Sequence, residues 1–222
     1  MQTNCLLTGV FTSKHQIEVA GKELRDKLRL LGHFGDSPEN ERRKQANREL
    51  PADCKITTFL TLHEAFFLAH SLGCLSIESD SLGPMSLASC WTEFRKFNNE
   101  SNIHLDFAIE YGVYHYFRTR GWTVKSGVNY GTSFILYKEG PSIDHAQYAV
   151  IIIYEQQSRR NNDSYSWGSL LTYHRVIQSV SKDLLLAYVT VPSDREHLLE
   201  HPDCIGQMGI ITKIFTTKAR LS

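Results

Sequence analysis

The sequence feature that most constrains the fold is a change of hydrophobic periodicity at Gly121. Before this glycine, aromatic residues recur at steps of three and four residues, which is the spacing of one face of a helix. These residues are Phe107, Tyr111, Tyr114 and Phe117. After the glycine, β-branched and aromatic residues come in short runs that further glycines separate, as is typical of strands joined by tight turns. The sequence therefore predicts helix and sheet together, a mixed α and β fold.

Similar patterns occur elsewhere along the chain. Apolar residues at helical spacing from Leu62 to Leu72 precede Gly73, and glycine is favoured just after the end of a helix. The other predicted helices cover residues 91–120, with an interruption near Asn98, and 167–180. The predicted strands are 122–126, 134–138, 147–154, 184–191 and 209–215. We therefore assign the chain to the α+β class.

The charges of the chain cancel as a whole but not locally. The 222 residues include 24 Lys and Arg against 24 Asp and Glu, which argues against a protein that binds polyanions over its whole surface. Between Arg118 and Lys182, however, eight basic residues stand against four acidic ones, a difference of +4. The composition therefore leaves room for one local basic site.

Two further classes of protein are disfavoured. The longest apolar runs, residues 149–153 and 184–189, are far shorter than the ~20 residues that span a bilayer, so we expect no membrane association. The five cysteines are widely spaced and form no C-x-x-C pair, which disfavours a tetrahedral zinc site and favours a reducing compartment.

The common catalytic motifs are missing from the sequence, and one weak metal motif is present. Asp144 and Glu155 flank an apolar strand, with the spacing of two carboxylates that share a divalent ion in metal-dependent nucleases. That design places a lysine two residues after the second acid, where this chain has Gln157. A metal-dependent DNA nuclease therefore stands only as an alternative.

The segment from Gly121 to Val150 carries the most specific signal. It contains Gly-Trp-Thr-Val-Lys-Ser-Gly, then Leu-Tyr-Lys-Glu-Gly-Pro ending at Pro141, then His145-Ala. This block resembles that of the catalytic subunits of the tRNA-splicing endonuclease family, most closely the eukaryotic subunit assigned to the 5′ splice site. The resemblance extends over residues 58–191, because Glu64 to Leu68 is similar to a helix of the family's N-terminal domain.

The resemblance assigns roles to four residues. The family's catalytic triad falls on Tyr137, in the strand before Lys138-Glu-Gly-Pro, on His145 eight residues later, and on Lys182, between the last helix and the next strand. Arg175, within that helix, stands where the family uses an arginine against the flipped RNA bulge. The family's C-terminal tryptophan is missing, since Ala219 follows Lys218.

These residue types fit cleavage of RNA through its own 2′-hydroxyl. Such a reaction needs a base for the 2′ proton, an acid for the leaving 5′ oxygen and a cation for the phosphorane. An imidazole, which ordinarily titrates near pH 6.5, suits the acid, and an ammonium suits the cation. A phenol ordinarily titrates near pH 10, so Tyr137 is the base only if a cation assists it, and otherwise orients the 2′-hydroxyl.

The function implied by the resemblance is therefore that of an RNA endonuclease. It would excise introns from pre-tRNA by metal-independent transesterification, leaving a 2′,3′-cyclic phosphate and a 5′-hydroxyl, with no cofactor. The alternative is a non-catalytic structural or RNA-binding paralogue in the same type of complex. The intact set of Tyr137, His145 and Lys182 favours the enzyme, because a scaffold needs none of the three.

The resemblance also implies partners and domains. The family assembles as a heterotetramer of paralogous catalytic and structural subunits, acts in the nucleus and is linked to mRNA processing. The acidic loop 194–203, with four acids against one arginine, is a candidate contact for a partner. The implied domains are a polar N-terminal extension with a short helix (1–53), an N-terminal endonuclease-family domain (54–104) and a C-terminal catalytic nuclease domain with a mixed sheet flanked by helices (105–222).

Overall fold

The chain folds into two compact α+β units, each built on a five-stranded sheet. The computed structural model describes residues 7–12, 16–36, 57–80, 83–100, 105–154 and 165–217. The division between the units lies between Phe97 and Asn98. The predicted boundary at 53/54 lies outside the described residues, and the one at 104/105 falls shortly after the observed division, so both stay predictions. The α+β class with a mixed sheet flanked by helices is confirmed.

The first unit has the strand order β3-β2-β1-β4-β5. Neighbouring strands pair antiparallel except β1 and β4, which are parallel. The strands are β1 (Leu7–Phe11), β2 (Ile17–Ala20), β3 (Thr57–Leu60), β4 (Leu75–Ser79) and β5 (Gly83–Pro84). The helices are α1 (Lys22–Leu30), α2 (Leu62–Phe66), which continues as a π-helix (Phe67–Ser71), and α3 (Leu87–Glu100). The predicted helix ending at Gly73 is thus confirmed, and Gly73 has the left-handed φ of 61° that favours glycine there.

A buried carboxylate ties the start of α2 to a neighbouring loop. Glu64 is 2% exposed, and its Oε2 accepts hydrogen bonds from the backbone N–H (3.0 Å) and the hydroxyl (3.3 Å) of Thr61, the N-cap residue. Its Oε1 accepts a third from the backbone N–H of Gly35, at 3.1 Å. The Thr61 hydroxyl in turn accepts from the backbone N–H of Glu64, which completes a capping box. One side chain therefore fixes both the helix start and the Gly35 loop.

We expect Glu64→Ala to lower the free energy of unfolding of the first unit by about 1–3 kcal/mol, because it removes the acceptor of three partly buried hydrogen bonds. Glu64→Gln, which keeps one acceptor oxygen, should cost less. Urea unfolding measures both, with Glu23→Ala in α1 as the control. Glu23 makes an exposed ion pair with Lys27, which solvent screens, so its loss should barely move the unfolding midpoint. Equal unfolding midpoints for the Glu64→Ala and Glu23→Ala variants would contradict the role given to Glu64.

The second unit has a mixed sheet in the order β10-β9-β8-β7-β6. Its strands are β6 (Thr123–Ser126), β7 (Phe134–Tyr137), β8 (Tyr148–Tyr154), β9 (Asp183–Thr190) and β10 (Gly209–Ile214). All neighbours are antiparallel except β8 and β9, which run parallel. The helices are α4 (Phe107–Arg118) and α5 (Trp167–Ser179), and 3₁₀ turns cover Val128–Tyr130, Ser193–Glu200 and Pro202–Gln207.

The two helices of the second unit pack on opposite faces of its sheet. The ring of Tyr114 in α4 meets Phe134 edge to face, with centroids 5.9 Å apart. The next residue, Ile135, points to the other face, where it joins Leu170 and Ile177 of α5. We call the residues on that face the apolar cluster: Ile135, Ala146, Ala149, Ile151, Leu170, Ile177, Leu184, Leu186 and Phe215.

The elements predicted from residue 91 onwards are confirmed, with one refinement. The helical pattern from 91 to 120 is two helices, one ending at Glu100 and one beginning at Phe107. The aromatic stripe of α4 is buried and belongs to the core. Gly121 ends α4 with a φ of 86°, and β6 follows directly. In the described ranges of the whole chain, no helix has the length and apolar character needed to cross a membrane.

Candidate active site

Three neighbouring strands of the second unit meet at one end of the sheet, and the backbone of Gln147 joins them there. Its N–H donates to the carbonyl of Leu136 in β7 at 2.9 Å, and its carbonyl accepts from the N–H of Asp183 in β9 at 3.0 Å. Since β7 is antiparallel to β8, and β8 is parallel to β9, the end of β7 and the starts of β8 and β9 lie side by side. The proposed catalytic residues lie at these strand ends.

Tyr137 is the last residue of β7. It follows Leu136, whose carbonyl Gln147 binds, so it lies in the same row across the sheet as Gln147 and Lys182. Its side chain is half-buried and packs against the apolar cluster, on the face that α5 covers. The phenol therefore stands at the edge of a packed core rather than inside it.

His145 lies in the segment that leads into β8. The preceding turn closes when the backbone N–H groups of Ile143 and Asp144 both donate to the carbonyl of Gly140, at 3.1 and 3.0 Å. The Asp144 carboxylate accepts the backbone N–H of His145 at 2.7 Å. The next residue, Ala146, is buried in the apolar cluster. The imidazole is thus exposed to solvent while the backbone on both sides of it is held.

Lys182 is placed by the way α5 ends. The N–H of Lys182 donates to the carbonyl of Ile177 at 3.2 Å, and the N–H of Ser181 donates to Gln178 at 3.0 Å. This is a Schellman motif, in which the residue before the last donor adopts a left-handed conformation. Ser181 has that conformation, with a φ of 56°. The motif turns the chain directly from the helix into β9, so Lys182 stands at the start of the strand.

The ammonium group of Lys182 lies against a backbone carbonyl and an aromatic ring. Its Nζ donates to the backbone carbonyl of Val180 at 3.1 Å. The same Nζ lies 5.2 Å from the centre of the Tyr130 ring. No sequence pattern singles out Tyr130, although it stands inside the same motif block, between Gly127 and Gly131.

The structure therefore brings Tyr137, His145 and Lys182 to one end of one sheet, and Arg175 lies in α5, the helix that leads to Lys182. Arg175 is exposed, four residues before the last helical residue. Its neighbour His174 is buried and meets the ring of Phe215 edge to face, with centroids 5.4 Å apart. His174 is thus a packing residue, whereas Arg175 faces solvent. The catalytic and RNA-binding roles of the four predicted residues stay predictions.

The metal-site alternative depends on residues that the structure does not describe. Glu155 and Gln157 lie in the range 155–164, outside the described part of the chain. Asp144 is the other acid of that metal motif, and its carboxylate accepts a hydrogen bond from the backbone N–H of His145. Lys218 and Ala219, where the family has its tryptophan, are likewise outside the described residues.

Ser181 offers a stability test, because α4 ends in the same motif with a glycine. There, the N–H of Trp122 donates to Phe117 at 3.1 Å and that of Gly121 to Arg118 at 3.1 Å. We expect Ser181→Gly to raise the free energy of unfolding of the second unit by about 0.5–1 kcal/mol, since a side chain at positive φ is strained.

The matched control is Gly121→Ser. A Cβ at Gly121 would meet nothing within 4 Å, so only the backbone strain should count, and the variant should be less stable by a similar amount. Urea unfolding curves of the two variants test the assignment. If both variants unfold at the wild-type midpoint, the left-handed conformation carries no strain at either position.

Comparison with known proteins gives a family match over this site. The model of the catalytic C-terminal domain of tRNA intron endonucleases matches residues 107–197. That range begins with α4 and contains all four predicted site residues, Tyr137, His145, Arg175 and Lys182.

Curated relatives extend the similarity beyond this domain. The tRNA-splicing endonuclease subunit Sen2 of Mus musculus is 40% identical over 157 residues, which cover 68% of this chain and 32% of that protein. The probable subunit Sen2 of Oryza sativa is 31% identical over 159 residues, 71% of this chain and 52% of the relative. The subunit SEN2 of Saccharomyces cerevisiae is 31% identical over 156 residues, 69% of this chain and 36% of the relative. The chain thus spans between a third and about half of the length of these relatives.

Proposed function

The chain belongs to the tRNA intron endonuclease family, and from this premise we propose that it is the catalytic subunit of a tRNA-splicing endonuclease that cuts pre-tRNA at the 5′ splice site. The observation that carries the proposal is the meeting of Tyr137, His145 and Lys182 at one end of the mixed sheet. The three chemical groups that cleavage through a 2′-hydroxyl requires thus lie at adjoining strand ends. The similarity to Sen2 subunits of animals, plants and fungi supports the choice of subunit.

The proposed reaction breaks the bond between phosphorus and the 5′ oxygen while the 2′ oxygen bonds to the same phosphorus. Tyr137 removes the 2′ proton, and His145 delivers a proton to the leaving 5′ oxygen. Lys182 stabilises the negative charge that grows on the phosphoryl oxygens between these steps. The products are a 2′,3′-cyclic phosphate and a 5′-hydroxyl, and the reaction requires no metal ion.

The positions of the three side chains support these roles. His145 is exposed on a backbone held by Asp144 and Ala146, so its imidazole can reach the substrate without a costly rearrangement. Tyr137 packs against the apolar cluster, which restricts the motion of its ring. Lys182 and Tyr137 lie in one row of the sheet. The cation that a tyrosine needs in order to act as a base is therefore available on the same side of the site.

The proposed chemistry is tested with a reconstituted complex, an intron-containing pre-tRNA and EDTA. We expect His145→Ala and Tyr137→Phe each to slow cleavage at the 5′ junction by at least about a hundredfold, because each removes one proton-transfer group. Wild-type cleavage should persist in EDTA and leave a 2′,3′-cyclic phosphate, so that 3′ end labelling succeeds after mild acid and phosphatase but not after phosphatase alone.

The matched controls are His70→Ala and Tyr116→Phe. His70 is exposed in the first unit, and Tyr116 packs its ring against Phe117 and carries Arg120 over its face, so neither should alter the rate. If the His145 and Tyr137 variants cut at the same junction as fast as wild type, the assignment fails. Loss of cleavage in EDTA would instead favour the metal-dependent alternative.

We further propose that the subunit works in a heterotetramer with paralogous subunits in the nucleus. The loop 194–203 suits such a contact. Its Leu199 and the following Cys204 are buried and anchor it, whereas its acids Glu200 and Asp203 are exposed to solvent. The alternative is that the chain is a non-catalytic paralogue in the same type of complex. In that case, cleavage of pre-tRNA by the complex would not depend on Tyr137, His145 or Lys182.

Dependence on partners gives another test. The isolated chain should cleave pre-tRNA poorly and should gain activity when the partner subunits are added. Glu200→Lys combined with Asp203→Lys should weaken assembly, as size-exclusion chromatography measures, while leaving the circular dichroism of the isolated chain unchanged. Specific cleavage by the isolated chain at the rate of the complex would refute the need for partners.

A further inference from the structure

Tyr130 occupies a turn that is held rigidly from within. It is the last residue of the 3₁₀ turn Val128–Tyr130, which joins β6 to β7. Its backbone N–H donates to the carbonyl of Gly127 at 2.9 Å, and the N–H of Gly131 donates to Val128 at 3.0 Å. The buried hydroxyl of Thr132 lies 3.3 Å from the carbonyl of Gly127, to which it donates. The backbone that carries the Tyr130 ring is therefore held by a network of local hydrogen bonds.

The same turn is pressed against α5, the helix that leads to Lys182. A Cβ atom on Gly131 would lie only 3.2 Å from Cε1 of Tyr173, so the backbone of the turn and the Tyr173 ring are in close contact. Gly131 also has a left-handed φ of 68°. Tyr130 and Tyr173 both pack against the apolar cluster. The turn therefore folds over the face of the sheet on which Lys182 lies, and α5 keeps it there.

The ring of Tyr130 is one of two groups that hold the Lys182 ammonium. The distance of 5.2 Å from Nζ to the ring centre is within the range of about 6 Å in which a cation is attracted to an aromatic face. The carbonyl of Val180 accepts a hydrogen bond from the same Nζ. In the described part of the chain, no carboxylate forms a salt bridge with Lys182.

The nature of these two partners has a chemical consequence. A carboxylate would hold the ammonium more strongly, but its negative charge would cancel the positive charge that a phosphate needs. A ring and a carbonyl are electrically neutral, so they orient the ammonium and leave its net charge intact. This combination suits a cation whose task is to stabilise charge that appears only during the reaction.

We propose that Tyr130 is a positioning residue that holds the Lys182 ammonium in its catalytic place through the face of its aromatic ring. The inference rests on the proposed function, because it assumes that Lys182 stabilises the phosphorane. Tyr130 itself does not touch the reacting atoms in this scheme. What matters is the negative electrostatic potential of its ring face, and the phenolic hydroxyl is dispensable.

The first test compares Tyr130→Phe with Tyr130→Leu in the reconstituted complex. Phenylalanine keeps the ring, so its kcat should stay within about twofold of wild type. Leucine keeps apolar bulk but has no ring, and kcat should fall by about two- to thirtyfold, the range expected for one cation–π contact. KM should change little, because Lys182 acts in the transition state. Equal kcat values for the two variants would overturn the proposal.

A second test keeps the shape of the ring and changes only its electrostatics. The series starts from the Tyr130→Phe variant. Its phenylalanine is replaced in turn by the 4-fluoro, 3,5-difluoro and 3,4,5-trifluoro derivatives, whose fluorine atoms draw electrons from the ring face. The logarithm of kcat should fall steadily with the number of fluorine atoms. A ring that served only for packing would give a flat series, and this result would overturn the proposal even if the leucine variant failed to fold.

Lys182→Ala separates this inference from the proposed function. In the Lys182→Ala background, the Tyr130→Leu change should have no further effect, because the two residues act through one contact. If Lys182→Ala cleaves as fast as wild type, the proposed role of Lys182 fails, and the inference fails with it. If Lys182→Ala is slow but the fluorinated series is flat, only the inference fails.

A readout that does not depend on activity completes the test. In NMR spectra of the full chain, the ε-methylene protons of Lys182 should show a ring-current shift with tyrosine or phenylalanine at position 130, and Tyr130→Leu should remove it. Unchanged lysine shifts in the leucine variant would show that the ring does not hold the ammonium, which contradicts the proposal.

Discussion

The parallel pairing of β8 with β9 is the constraint on which the candidate site depends. Two parallel strands cannot be joined by a tight turn, so the chain must return along the sheet before it starts the second strand. Here α5 makes the return across one face, and it ends where β8 begins. Because β7 is antiparallel to β8, β7 ends at the same place. The side chains of Tyr137, of the segment before β8 and of Lys182 are therefore neighbours because of the strand pairing alone, whatever their chemistry.

Much of the second unit could be predicted because its local signals agree with its fold. The strands β6 and β7 are bounded by glycines, and α4 and α5 show helical periodicity. No strand of the first unit is predicted from the sequence. The strands β1 and β2 are five and four residues long and pair with each other, but their other neighbours, β4 and β3, lie far along the chain. Such short strands take their conformation from distant partners, which no local pattern records.

The candidate site shows the same division between local and distant information. Tyr137, His145 and Lys182 were identified through a sequence block, and the sheet explains only why they lie close together. Tyr130 lies in the same block, yet its sequence gives no sign that it approaches Lys182. That contact arises because the turn folds over the sheet and α5 presses on Gly131. A tyrosine between two glycines would otherwise indicate only a turn.

The backbone next to Lys182 adds a physical argument for function at this place. The Schellman motif at the end of α5 requires a left-handed residue, and glycine would meet that requirement without strain, as Gly121 does at the end of α4. This chain has Ser181 there instead. A serine narrows the range of backbone conformations open to the residue before Lys182, whereas a glycine would widen it. The chain thus accepts backbone strain at Ser181, the residue that sets the direction in which β9 starts and therefore the position of the Lys182 ammonium.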